Sequence, residues 1–78
     1  MSTPIKKQVD DVLSELETVA GEIQVKLHLA GMEANDLWNK QLEPRLLEAR
    51  RHAREAKQAS KAAVESTLEA LRDFQKNL

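Results

Sequence analysis

Ile23-Gln24-Val25-Lys26-Leu27-His28-Leu29-Ala30-Gly31-Met32-Glu33-Ala34-Asn35-Asp36-Leu37-Trp38 is the stretch whose reading decides the fold. Leu16, Leu27 and Trp38 stand eleven residues apart, a spacing that keeps one face of an unbroken helix in line. Val25, Leu29 and Met32 form a second apolar stripe at spacings of four and three. A helix that is apolar on two sides has two neighbours. Gly31, Asn35 and Asp36 support the rival reading, a turn in which glycine ends one helix and Asn or Asp caps the next. The unbroken eleven-residue seam favours continuity, and Val25, Leu29 and Met32 become the expected contact between two copies of the chain.

Working toward the N-terminus, Ile5, Val9, Val12, Leu16, Val19 and Ile23 repeat at spacings of four and three, the seam of a helix packed on a partner. Leu13 and Ala20 widen that seam to the face of a bundle helix. Thr3 is placed to cap the helix, with Pro4 at its first position, and Gly21 is expected to be tolerated inside it.

Working toward the C-terminus, Pro44 is the strongest breaker, because it lacks an N–H and biases Glu43 away from helical angles. The seam resumes at Leu46 and runs through Ala49, Ala53, Ala56, Ser60, Val64, Leu68, Leu71 and Phe74. The expected architecture is all-α: a helix over about 4–41, a bend at about 42–45, and a helix over about 46–76, closed as an antiparallel hairpin. Folding there sets small residues 49–60 against Ala30, Gly31 and Ala34, and Leu68, Leu71 and Phe74 against Val19, Leu16 and Val12. Two alternatives stand beside it. One is a single long helix kinked at Pro44; the other is a three-helix arrangement with a further break at Ala59-Ser60-Lys61.

The composition supports helices and little else. Aromatic residues are 3% and cysteine is absent, so neither an ordinary mixed core nor a disulfide framework is available. Residues 1–39 are acidic and residues 40–78 basic, which favours the chain folding back on itself. A lone two-helix hairpin leaves wide apolar faces in water. Dimerisation into a coiled-coil-like four-helix bundle is the expected remedy, and a homodimer is the expected assembly.

Chemistry is sparse. No nucleophile stands beside a base and no Gly-rich phosphate loop is present, so an enzyme is not expected and neither is a cofactor. His28 and His52, the latter four residues after Glu48, lack the three or four convergent ligands a metal site requires. Arg50, Arg54, Lys57 and Lys61 fall at spacings of four, three and four, which places them on one helical face able to follow a polyanion. No aromatic residue is interleaved for stacking, so the stripe reads first as a solvated face paired with the acidic arm. Polyanion binding, to nucleic acid or a membrane surface, is the alternative function; neither is the expected partner. No transmembrane run and no leader pattern is visible, and a cytoplasmic structural or protein-interaction module is the expected role.

The order His28-Leu29-Ala30, Glu33-Ala34, Asp36, Trp38, then Leu42-Glu43, resembles a segment of small uncharacterised bacterial coiled-coil proteins, some loosely stress-associated. The resemblance covers the central third of the chain. It implies an uninterrupted helix through Gly31 and no catalytic residues; Pro44 departs from the pattern.

Overall fold

In a computed structural model, residues 4–55 and 57–78 are described. The chain forms three rods packed side by side. The first is α1, Ile5–Leu27. The second is α2, Met32–Leu37, which continues through one π-turn at Trp38–Leu42 into α3, Glu43–Glu55. The third is α4, Gln58–Lys76. Pro4 stands just outside α1, at φ −57° and ψ 144°, one position earlier than its expected place in the first turn. Thr3 and Ala56, assigned to a cap and to the seam, lie outside the described residues.

The continuous helix expected through Gly31 is overturned, because the chain reverses at residues 28–31. Tight backbone bonds from His28 N–H to the Val25 carbonyl (3.3 Å), Leu29 to Lys26 (3.0 Å) and Ala30 to Leu27 (3.2 Å) close the last turn of α1. Gly31 follows at φ −75° and ψ 172°, an extended conformation open to any residue. The turn is held by Asn35, whose Nδ2 donates to the carbonyls of Leu27 and Gly31, each at 3.1 Å. Those bonds add a second donor to each carbonyl, beside Ala30 N–H at Leu27 and Asn35 N–H at Gly31, and so tie the end of α1 to the start of α2.

The bend expected at Pro44 is overturned as well. Glu43 N–H reaches back to the Trp38 carbonyl, one residue farther than in an α-helix, and the chain passes Pro44 without leaving the helical path. The wide turn takes in one extra residue. Two consecutive spacings of four then bring Trp38, Leu42 and Leu46 to one buried face, whereas eight residues of α-helix would carry the third about 80° off line. An ordinary α-turn would also press the proline ring against the carbonyl four residues back.

The second reversal separates α3 from α4, whose N-cap is Lys57, slightly before the Ala59–Lys61 break of the three-helix alternative. Lys57 is extended (φ −103°, ψ 167°), and its N–H donates to Ser60 Oγ at 3.2 Å. Lys57 has no side-chain oxygen with which to cap α4 in return.

The topology is up, down, up, so α4 runs parallel to α1. Lys61 Nζ meets Gln8 Oε1 at 3.0 Å near the start of both helices, and Arg72 Nη2 meets Glu15 Oε2 at 3.2 Å farther along. The hairpin pairing of Leu68, Leu71 and Phe74 against Val19, Leu16 and Val12 in antiparallel order is therefore replaced. Phe74 packs instead on Trp38, with ring centroids 5.9 Å apart. The molecule measures 46 × 20 × 15 Å, the length of helices of about 28–36 Å plus their turns.

Core membership follows the seam closely. Val9, Leu16, Ile23, Leu46, Val64 and Leu71 are almost completely buried, and Trp38 retains 4% of its surface. Small Ala49 and Ala53 let α3 approach its neighbours. The acidic first half does meet the basic second half: Arg50 Nε lies 2.8 Å from Glu17 Oε1, and Arg72 pairs with Glu15. All four side chains are about half exposed, so each pair contributes at most about 1 kcal/mol and mainly marks register.

Gly21 lies exposed in the middle of α1, and a Cβ built there meets no atom within 4 Å. Gly21→Ala should therefore stabilise the chain by about 0.8–1 kcal/mol, the helix-propensity difference. In a domain of this size that raises Tm by about 4–8 °C in thermal circular dichroism. A lowered Tm would mean that the backbone at Gly21 needs room for something a single chain does not contain.

Candidate interaction surfaces

Chain reversal at 28–31 gathers apolar side chains that helix packing leaves uncovered. Val25 ends α1, Leu29 sits in the turn and Met32 begins α2, with 68%, 94% and 84% of their surface exposed. They share one end of the bundle because the turn is short. Leu37 and Leu78 lie at the same end and are also exposed. Between α2 and the end of α4 an open groove of about 520 Å³ is floored by Ala34, Leu37, Phe74 and Leu78 and flanked by Glu33 and Asp73. Of the large apolar residues exposed among those described, only Leu47 lies away from this end. A concentration of this kind is the usual mark of a contact surface.

The basic stripe is not continuous. Arg50 and Arg54 belong to α3, Lys57 stands in the break, and Lys61 belongs to α4, so the single helical face expected for the four does not exist. Its members also differ in what they touch. Arg50 is engaged by Glu17; Lys61 by Gln8 at 3.0 Å and more loosely by Glu65 at 3.8 Å. Lys57 has only an exposed partner, Glu55, at 3.9 Å. Arg54 has no ion pair among the described residues and lines a groove between α1 and α3 with Lys6. Lys6 had no part in the stripe; the placement of α1 beside both α3 and the start of α4 brings the start of the chain beside residues 50–61.

The histidines lie far apart. His28 is in the α1–α2 turn, and His52 Nε2 stands 3.9 Å from Glu48 Oε2 on α3. Glu48 is also bound by Arg51, at 2.6 Å. Among the described residues no three side chains converge as metal ligands. No described helix is long and apolar enough to cross a membrane. Compared with protein-family models, curated proteins and solved structures, the chain matches none of them.

Proposed function

We propose that the chain is a non-enzymatic structural module that works by association, and that Val25, Leu29 and Met32 form the contact between two copies. The supporting observation is that these three side chains, the most exposed large apolar ones among the described residues, lie together at one end of the bundle. Three helices close one core within each chain, so the pairing proposed is end to end, not the merging of two hairpins into four helices. A symmetric contact is the simplest closed form, since the same patch serves both partners. A place in a bacterial cytoplasm belongs to the same proposal.

Magnitudes set the conditions of the test. Six such side chains contribute about 9–18 kcal/mol if fully buried, and association itself costs about 4–15 kcal/mol. The two are of similar size, so the dimer is weak and must be sought at high concentration. Size-exclusion chromatography with light scattering at several hundred micromolar should give a mass approaching twice 8.8 kDa. Leu29→Glu should return it to 8.8 kDa with unchanged helicity, since Leu29 supports nothing within the chain. A wild-type chain that stays monomeric, or a Leu29→Glu chain that stays dimeric, removes the proposal.

A further inference from the structure

The end of the bundle opposite the apolar residues joins the starts of α1 and α4 to the end of α3. Residues 4–11 and 50–61 together hold seven Lys or Arg against three Asp or Glu, in a chain of net charge −1. Contacts within the chain account for some of these cations: Arg50, Arg51 and Lys61 are engaged by Glu17, Glu48 and Gln8. Lys6, Lys7 and Arg54 make no ion pair among the described residues, and Lys57 makes only its exposed contact with Glu55. Lys6 and Arg54 face a shared groove of about 460 Å³, with Asp10 on its wall. Helix electrostatics favours carboxylates in a first turn, yet α1 and α4 have none there and α1 carries Lys6 and Lys7 instead. Lys6 and Lys7 are thus set against the helix dipole without an ion pair among the described residues, whereas Arg54 stands in the last turn of α3, where a cation is favoured, with its charge likewise free of an ion pair there.

We infer that this end binds the phosphate backbone of double-helical nucleic acid without reading its sequence, through Lys6, Lys7, Arg54 and Lys57. Three observations choose this partner. The only two aromatic residues, Trp38 and Phe74, are buried together elsewhere, so there is no platform for stacking the bases of a single strand. Among the described residues the exposed large apolar ones lie at the other end or on α3 at Leu47, so no described bulky anchor accompanies these cations into a lipid surface. The bundle end is about 20 × 15 Å, which spans about four to six phosphates of one strand of a duplex, enough for all four cations. The inference does not depend on pairing through the apolar end.

The test is fluorescence anisotropy with a labelled duplex of about 30 base pairs and mixed sequence, over a range of salt from about 50 mM upward. The logarithm of the binding constant should fall with the logarithm of salt at a slope of about −3. Lys6→Glu/Lys7→Glu/Arg54→Glu should weaken binding at least about tenfold at the lowest salt, and the matching Gln variant should do so by removing charge alone. Lys26→Glu/Lys40→Glu/Lys76→Glu makes the same change in net charge at the other end and should bind like the wild type. Circular dichroism monitors folding in each case. The inference is overturned by a wild-type chain that does not bind at about 50 mM salt, or by equal losses in the two Glu variants. Binding to phosphatidylserine vesicles without binding to the duplex overturns it as well.

Discussion

Trp38→Ala should cost the chain a large share of its stability. Trp38 is 4% exposed, packs on Phe74 at 5.9 Å, and lies between the end of α1 and the face of α4. Truncating a buried tryptophan to alanine costs about 3–5 kcal/mol, from lost transfer energy and the cavity left behind. A chain of 78 residues has about 4–12 kcal/mol in total, so the loss is a large share of it and the urea midpoint should fall by a similar share. The measurement is urea unfolding followed by far-ultraviolet circular dichroism, because the substitution removes the only indole. Trp38→Phe keeps a ring against Phe74 and should lose much less. A loss below about 1 kcal/mol for Trp38→Ala would mean that the Trp38–Phe74 contact does not hold α2 to α4.

The π-turn supports a second prediction, in which two changes compensate. Deleting Gln41 takes out the extra residue and leaves Trp38, Leu42 and Leu46 at spacings of three and four, in line on an ordinary α-helix. Pro44 would then sit in a regular helix interior, and the deletion alone should destabilise by about 3 kcal/mol. Combining the deletion with Pro44→Ala should recover that loss, giving a coupling of similar size in a double-mutant cycle. Additive effects would show that the wide turn is not what accommodates the proline.

Much of the core was legible because periodicity reports which side of a helix is apolar. Val9, Leu16, Ile23, Leu46, Val64 and Leu71 stand in the seam by spacing alone and are buried. The path of the chain was not legible by the same means. Leu27, Ala34 and Trp38 keep their spacing across a full reversal, so a seam that looks continuous passes through a turn held by the Asn35 side chain. Pro44 misled in the opposite sense, since one inserted residue absorbs it; the signal was the doubled spacing of four from Trp38 to Leu42 to Leu46. The apolar end was visible in Val25, Leu29 and Met32 because they fall off the seam. The basic end was visible only in part. A stripe drawn along one helix cannot include Lys6, which reaches Arg54 through the antiparallel placement of α1 beside α3.

The parallel pairing of α1 with α4 has a consequence for biosynthesis. The first and last helices share the most extensive packing surface, while α1 and α3 touch each other little. Leu68, Leu71 and Phe74, which fill the space between the other two rods, leave the ribosome after both of those rods. Until they emerge, the preceding segments have only half of a core, and the nascent chain has no stable intermediate stopping point. Folding of the three rods therefore waits until α4 has emerged, and a chain cut short within α4 is a substrate for proteolysis, not a smaller working version of the bundle.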